Sequence, residues 1–408
     1  MYDYDVAFLG GVFPKEHEEE IISNSKRYIQ NAANLLQWNI ISGLDENLGM
    51  PVKIINSVYI GAFPILYKKL FIKTYKFSHK ENAEDINVGF CNLKGYKYLS
   101  RKIHLRPILK KWALQNSRKK KVIIGYALTD TIIKSLLYVK RINNAVTTCI
   151  IVPDLPQYMN TSNKESLIRS IFKKYDIKNI EKKLALIDDY VLLTKQMNEY
   201  IKSERFTVVE GVASKAVPKS FDDFSKDERI ILYCGALNER YGIKNLVDSF
   251  MEIKERNYKL VICGQGDSKD YIKKCAEKNP NIIFKGLISH DEVSVLQKQA
   301  SVVVNPRQNC EGFNKFSFPS KNLEYLSSGT PLIAYKLDGI PDEYDGYIYY
   351  VDDNSVEALK NKIIEVCEKS KEELFDFGQK AYDFVQSHKN SKVQAKKILD
   401  LVEEEQNE

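Results

Sequence analysis

The sequence predicts an α/β protein with two Rossmann-like domains, each built on a parallel β-sheet. Short apolar runs alternate with longer helix-like segments along the chain, which is the pattern of a parallel sheet covered by helices. The alternation restarts after an irregular stretch, and 408 residues are enough for two hydrophobic cores. Open sheets of this kind bind ligands at the carboxyl ends of their strands. Two such sheets facing each other would place a central cleft between them.

The N-terminal half contains the first series of apolar runs. The stretch from Phe206 to Lys219 then loses the periodicity and carries Gly and Pro. We therefore predict an N-terminal domain at 1–206 and an interdomain linker at 207–228. The predicted strands of this half lie at 6–9, 39–42, 86–90, 121–125, 149–152 and 190–193.

The second series begins at Arg229 and predicts a C-terminal domain at 229–385. Several of its apolar runs end in Gly or Pro. After Ser355 the pattern becomes helical, and a last amphipathic helix lies within 386–408. The predicted strands of this half lie at 230–235, 259–264, 281–286, 301–306, 331–334 and 347–351.

The stretch from Phe313 to Tyr335 predicts a loop, a helix, a turn and a buried strand. Ser317 and Pro319 suit a capped start of the helix, and Gly329 suits its end. A helix N-terminus presents free N–H groups and a partial positive charge, so it favours phosphate. We therefore expect a phosphate group to bind at the start of this helix.

Lys321 and Glu324 lie in the first turns of the same helix. Lys321 would add a full positive charge to the phosphate site, with Ser320 beside it, and the Glu324 carboxylate can accept hydrogen bonds from sugar hydroxyls. Phosphate together with hydroxyl groups indicates a nucleotide sugar. An ordinary surface ion pair between residues three apart explains the two side chains equally well.

This helix, together with 338–343 (DGIPDE) and 351–359 (VDDNSVEAL), resembles the C-terminal half of retaining glycosyltransferases of family 4, the glycosyl transferases group 1. The resemblance is strong over 229–366 and weaker in the N-terminal half. It implies the GT-B fold, a nucleotide-sugar donor with a UDP-sugar favoured, and transfer with retention of the anomeric configuration. It also implies that the last helix crosses back to the N-terminal domain.

The resemblance assigns donor contacts outside this helix. Gly10 and Gly11 follow the first strand, where a backbone without side chains could touch the donor phosphates and sugar. Arg240 would neutralise the diphosphate, with Lys244 behind it, and Ile288 matches the turn that binds the nucleobase through its backbone. A solvent-exposed helix position explains Lys244 equally well.

The sequence also departs from the family pattern. Contacts that the first of two family glutamates would make must come from elsewhere, with Asn314, Lys315 and Ser317 as candidates, whereas Glu324 matches the second glutamate. Asp154 is a candidate contact for the donor sugar or an acceptor hydroxyl, although a role as a turn residue or helix cap explains it equally well. Where the family has an Arg and a Lys near the diphosphate, this sequence has Ala236 and Tyr241. Where the family has its first Glu and a catalytic-site His, this sequence has Phe316 and Pro153.

Positive charge is concentrated between Ile86 and Thr129, where no acidic residue occurs and eleven Lys and Arg residues are interleaved with aromatic and aliphatic ones. Such a stretch suits contact with an anionic membrane surface, at about 1 kcal/mol per basic residue. We therefore predict peripheral membrane contact through residues 92–121, and a solvated basic face is the alternative. No nucleic-acid recognition motif accompanies the charge, so we expect no nucleic-acid partner.

The composition argues against several other classes. The start of the sequence shows no secretory signal pattern, and no apolar run reaches the ~18 residues of a membrane span. We therefore expect a cytoplasmic protein, peripheral on the inner face of the membrane. The seven cysteines lack CxxC spacing and the five histidines lack HxH or HExxH spacing, so we expect reduced cysteines, no metal and no cofactor.

Together these features predict a retaining, metal-independent glycosyltransferase that acts on a lipid-linked or polysaccharide acceptor in cell-surface glycan biosynthesis. Arg240, Lys321 and the helix N-terminus would stabilise the departing nucleoside diphosphate, and Asp154 is the third catalytic candidate. Two alternatives stay open. One is a sugar-nucleotide epimerase of similar two-domain fold, and the other is a catalytically inactive, glycosyltransferase-like partner protein.

Overall fold

The computed structural model describes residues 2–26, 29–158, 177–225, 228–255, 257–310 and 312–404. The chain divides into two compact units. The first unit comprises Met1–Val212 together with Ser391–Glu408, and the second comprises Ala213–Asn390.

The first unit is built on an eight-stranded sheet with the strand order β10-β9-β8-β7-β1-β2-β5-β4. All neighbouring strands are parallel except the pair β4 and β5, and β3 pairs with β6 separately. The strands are β1 Tyr4–Gly10, β2 Lys53–Asn56, β3 Phe71–Ile72, β4 Tyr75–Phe77, β5 Asp85–Asn87, β6 Phe90–Cys91, β7 Lys120–Tyr126, β8 Thr147–Val152, β9 Asp189–Leu192 and β10 Phe206–Val208.

Helices pack against this sheet through apolar faces. The C-terminal helix α13 (Ser391–Glu404) belongs to this unit and packs against α2. The contact requires a glycine at position 43, because a Cβ there would clash with the Ser391 carbonyl oxygen. The other helices of the unit are α1 Glu18–Asn24, α2 Asn31–Leu48, α3 Lys97–Leu114, α4 Asp130–Ile142, α5 at 177–184 and α6 Asn198–Ile201.

One strand of the N-terminal series was predicted wrongly. Residues 39–42 lie inside α2, and the strand next to β1 is instead β2. Ile40, Ile41 and Leu44 are buried on one face of that helix, so the short apolar run is part of a helical stripe. A run of this length does not distinguish a buried strand from a buried helix, and the helical periodicity over the surrounding eighteen residues decides.

The second unit is built on a six-stranded, wholly parallel sheet with the order β13-β12-β11-β14-β15-β16. All six strands predicted for this half are present, and the predicted α/β class with Rossmann-like sheets is confirmed. The strands are β11 Arg229–Ala236, β12 Tyr258–Gln265, β13 Ile282–Gly286, β14 Val302–Asn305, β15 Leu332–Tyr335 and β16 Tyr349–Val351.

A helix follows each of the first four strands of the second unit, and two helices follow the last strand. Because β14 and β15 are parallel, the helix between them, α10, starts at the carboxyl edge of the sheet. The loops that follow β11, β13 and β14 lie at the same edge. The helices are α7 Ile243–Met251, α8 Lys269–Lys278, α9 His290–Gln299, α10 Ser320–Ser327, α11 Val356–Cys367 and α12 Lys371–His388.

Candidate functional site

Helix α10 begins at Ser320 directly after Pro319, as the sequence predicted, and Gly329 ends it with a left-handed φ of 71°. The expected side-chain cap is wrong. Among the described residues no side chain caps α10, and the Ser317 hydroxyl instead accepts hydrogen bonds from Arg307 at 3.4 Å. The first N–H groups of the helix therefore lack a side-chain acceptor, as an anion site requires.

Lys321 and Glu324 form an ion pair with 2.8 Å between Nζ and Oε2, and their side chains are 38% and 33% exposed. The other carboxylate oxygen of Glu324 accepts a hydrogen bond from Nε2 of Gln297, a buried residue at the end of α9, at 3.0 Å. The carboxylate is thus held from two sides. A phosphate that attracts Lys321 would free one oxygen of Glu324 while Gln297 holds the other.

Tyr325 fixes α10 to the centre of the sheet. Its hydroxyl accepts a hydrogen bond from the Cys234 backbone N–H at 2.9 Å and donates to the Cys234 carbonyl at 3.1 Å. The side chain is fully buried, and burial raises the pKa of this phenol well above its usual value. The hydroxyl therefore stays neutral and can both donate and accept. These two hydrogen bonds fix α10 to β11, and Glu324 is the residue before Tyr325 in that helix.

Arg307, two residues beyond β14, forms hydrogen bonds with two of the predicted donor-site residues, Asn314 and Ser317. Its Nε and Nη2 donate to the Asn314 side-chain oxygen at 2.9 and 2.7 Å, and its Nη atoms reach the Ser317 hydroxyl. Arg307 is 8% exposed and Asn314 is 1% exposed. The guanidinium also faces the rings of Phe313 and Tyr241, at 4.8 and 5.8 Å from their centres. Glu311, in the same loop, lies outside the described residues.

Arg240 lies in the turn after β11 with an exposed side chain, and its Nη2 donates to the Tyr241 hydroxyl at 2.8 Å. This turn packs against the end of β14, because Gly242 has a φ of 78° and a Cβ there would meet the Pro306 carbonyl oxygen at 1.8 Å. Lys244 pairs with Glu239 at 2.8 Å, which agrees with the surface explanation of that lysine.

The turn that was predicted to bind the nucleobase follows β13. Ile288 is half-buried against the core, and the next residue, Ser289, caps α9 through a reciprocal pair of hydrogen bonds with Glu292. Gly264, at the end of β12, has a φ of 136°, and a Cβ there would meet the Gly235 carbonyl oxygen at 1.8 Å. This glycine therefore serves strand packing.

Three predicted site residues belong to the first unit. The Gly11 N–H donates to the Gln37 side chain at 2.9 Å, and a Cβ on Gly11 would meet the Tyr59 ring at 2.1 Å, so protein side chains cover Gly10 and Gly11. Asp154 follows β8 with an exposed side chain, and the surrounding protein limits its hydration and raises its pKa to about 6. Ligand contact at these positions stays a prediction.

Neither a metal centre nor a membrane-spanning helix is found in the parts of the chain that the structure describes. No group of three or more His, Cys, Asp or Glu residues is arranged there to hold an ion. No described helix is both long and apolar enough to cross a bilayer. All seven cysteines are free thiols, and five of them are buried.

One protein-family model matches the second unit of the chain. Residues 218–384, which contain α10 and the loops around it, match the family model described as Glycosyl transferases group 1. This region of the chain therefore matches the glycosyl transferases group 1 that the sequence resembles.

Two curated relatives match over shorter stretches. An uncharacterized glycosyltransferase of Methanocaldococcus jannaschii is 33% identical over 118 residues, which is 28% of this chain and 29% of the relative. A putative colanic acid biosynthesis glycosyl transferase of Escherichia coli is 28% identical over 146 residues, which is 34% of this chain and 35% of the relative. The matched stretches thus span about a third of each relative.

Solved structures resemble the chain over nearly its whole length. Sucrose-phosphate synthase from Thermosynechococcus elongatus matches 98% of both chains with a TM-score of 0.64 at 16% identity. A complex of TarM from S. aureus with UDP and alpha-GlcNAc-glycerol matches 97% of this chain and 99% of that one, with a TM-score of 0.58 at 13% identity. At such identities the likeness shows the fold, and the GT-B class is confirmed.

Proposed function

We propose that the protein is a retaining glycosyltransferase that takes a sugar from a nucleotide-sugar donor, with a UDP-sugar favoured. The observation that carries this proposal is the start of α10, where uncapped N–H groups, Lys321 and Glu324 lie together at the carboxyl edge of the sheet. The family match over 218–384 supports the activity, and the UDP bound to the similarly folded TarM supports the base.

Catalysis in this proposal is electrostatic and needs no metal. Negative charge develops on the diphosphate oxygens as the glycosidic bond breaks, so Arg240, Lys321 and the α10 N-terminus stabilise the transition state more than the bound donor. Ser320 and Asn314 line the donor site, Glu324 binds hydroxyls of the nucleotide sugar, and Asp154 contacts the donor sugar or an acceptor hydroxyl. Activity should therefore survive exhaustive chelation.

A thermal-shift screen against UDP-, GDP-, ADP- and dTDP-sugars tests the donor site. A ligand at a hundred times its dissociation constant adds about 2.7 kcal/mol to the free energy of unfolding. We expect a shift with one nucleotide class that is lost in Lys321→Ala and Glu324→Ala. The matched control is Lys362→Ala, because Lys362 forms the same kind of ion pair with Glu365, three residues further along α11, at 2.7 Å. No shift with any nucleotide would contradict the proposal.

We further propose that the acceptor is a lipid-linked or polysaccharide substrate of cell-surface glycan biosynthesis, reached at the inner face of the cell membrane. The relationship to a putative colanic acid biosynthesis enzyme supports the acceptor class. The outer face of α3 supports membrane contact, because Leu99 and Ile103 are 46% and 45% exposed there, with Arg106 and Lys110 beside them.

The basic stretch 92–121 divides between two faces of α3. Lys97 and Arg101 are buried and donate to the carbonyls of Ile60 and Val58, so they do not contribute to a membrane surface. The exposed side carries both apolar and basic residues, as an interfacial helix does. These residues are Tyr96, Tyr98, Leu99, Ile103, Arg106, Lys110, Lys111 and Leu114.

Co-sedimentation with phosphatidylcholine vesicles, with and without phosphatidylglycerol, tests the membrane contact. We expect binding only to the anionic vesicles, weakened by salt and lost in the double variant Leu99→Glu, Ile103→Glu. Val217→Glu is the control, because Val217 is 72% exposed but lies in the other unit. Equal binding by the double variant would contradict this role of α3.

A further inference from the structure

Arg307 lies where two separately predicted parts of the donor site meet. On one side it bonds Ser317, three residues before α10, and Asn314. On the other side it faces the Tyr241 ring, whose hydroxyl accepts from Arg240 at 2.8 Å. The turn at 239–242 and the segment that carries Arg307 are in contact, because Gly242 packs on the Pro306 carbonyl. Arg307 thus connects the α10 entrance with the Arg240 turn.

The guanidinium of Arg307 is a buried charge at the carboxyl edge of the sheet, and burying a cation costs free energy unless other groups solvate it. Asn314, which is almost fully buried, accepts two of its five N–H groups and thereby fixes the plane of the guanidinium. A charge fixed in this way needs no reorganisation when a phosphate arrives. Planar N–H donors also match phosphate oxygens in geometry.

From this convergence we infer that Arg307 contacts the diphosphate of the donor, as a cation additional to Arg240 and Lys321. The inference rests on the proposed function, because it assigns a further residue to the same donor site. Asn314 and Ser317 then act as positioning residues that orient the guanidinium. They hold Arg307 in place, so they affect donor binding only through the contact between Arg307 and the diphosphate.

Paired titrations of a nucleoside diphosphate and its nucleoside isolate this contact. Calorimetry would measure UDP with uridine, and GDP with guanosine, on the wild type, Arg307→Gln and Arg307→Lys. We expect Arg307→Gln to weaken binding of the diphosphate at least tenfold and leave the nucleoside unchanged, with Arg307→Lys in between. The control is Arg229→Gln, because Arg229 begins β11 at the opposite edge of the same sheet, roughly 20 Å away.

Each outcome decides between a phosphate contact and a purely structural role. A folded Arg307→Gln protein that keeps the wild-type ratio of diphosphate to nucleoside affinity overturns the inference, since Arg307 would then only order its loop. If that variant does not fold, Arg307→Lys and Asn314→Leu carry the same comparison, and both should lower the ratio. A wild type that binds neither diphosphate contradicts the proposed function itself, and the inference falls with it.

Discussion

At the scale of single residues, the clearest unpredicted feature is a buried charge cluster in the first unit. The Nδ1 atom of His79 lies 2.6 Å from the Asp85 carboxylate, and its Nε2 atom lies 3.0 Å from the Asp45 carboxylate. These three side chains are at most 7% exposed. Burial alone would lower the pKa of His79, but the two carboxylates outweigh it and raise the pKa to about 9. The imidazolium therefore joins β5, α2 and the loop after β4.

This cluster predicts a pH dependence of stability. The pKa of His79 is higher in the folded protein than its usual value, so the stabilisation is complete below about pH 6.5 and disappears as the pH rises to about 9. The difference in free energy of unfolding between the wild type and His79→Asn, measured by urea unfolding, should fall by up to about 3 kcal/mol across this range. Burial lowers the pKa of Lys97 and Lys219 to about 7, so these two lysines make the folded protein more stable as the pH rises. Both the wild type and His79→Asn contain them, so their effect cancels in the comparison.

His290→Asn is the control for that experiment, because His290 is exposed at the start of α9. The control should follow the wild type at every pH. If His79→Asn kept the wild-type slope between pH 6.5 and 9, the imidazolium would not bridge the two carboxylates in solution.

A second prediction at this scale concerns the hydrogen bond from Gln297 to Glu324. Gln297→Leu removes the donor to one oxygen of Glu324, and a hydrogen bond to a charged group contributes about 1.5 to 3 kcal/mol when it is buried, less when it is half-exposed. Donor affinity measured by calorimetry should fall several-fold. Gln379→Leu is the matched control, because Gln379 donates to Asp383 on an exposed helix face at the same distance. Unchanged affinity in Gln297→Leu would show that Glu324 needs no orientation by Gln297.

At the scale of elements, the attachment of α10 to β11 decides where the candidate site lies. The Tyr325 hydroxyl occupies both backbone groups of Cys234, beyond the point where β11 and β14 stop pairing. Tyr325→Phe would leave a buried N–H without an acceptor and should cost about 1 to 3 kcal/mol in free energy of unfolding. Chemical denaturation measures it.

Tyr382→Phe is the control for the tether, because its hydroxyl donates to the Ala216 carbonyl at the surface, where water can replace it. It should change stability by less than about 0.5 kcal/mol. Equal effects of the two substitutions would contradict the assignment of Tyr325 as the tether of α10.

At the scale of the whole molecule, the last helix completes the core of the unit that the chain left at Val212. Ala395, Ile398, Leu399 and Val402 are buried against the first unit. Emptying one buried aliphatic position costs about 2 to 5 kcal/mol, and domains are stable by about 5 to 15 kcal/mol. A chain that ends at Asn390 should therefore lose the protected fold of the first unit.

Hydrogen exchange followed by mass spectrometry can measure this loss. Peptides from β1, β2 and β7 should exchange rapidly in the truncated chain, while those from β11 to β15 keep their protection. A chain that ends at Glu404 keeps all of α13 and serves as the control. Full protection of β1 and β7 without α13 would show that the first unit is stable without its last helix.

The sequence by itself determined the fold class, the resemblance to the glycosyl transferases group 1 and eleven of the twelve predicted strands. Parallel strands and the residues that start and stop helices leave local patterns in the sequence. It also identified α10 with Lys321 and Glu324. Only the tertiary structure joined Arg307 to Asn314, Gln297 to Glu324 and His79 to its two carboxylates. Gln297 and Glu324 lie on different helices and His79 is far from Asp45 in the sequence, while Arg307 and Asn314 meet through the shape of one loop, so no spacing in the sequence encodes these contacts. Burial and distance arise when the chain folds, and they decide which charges meet.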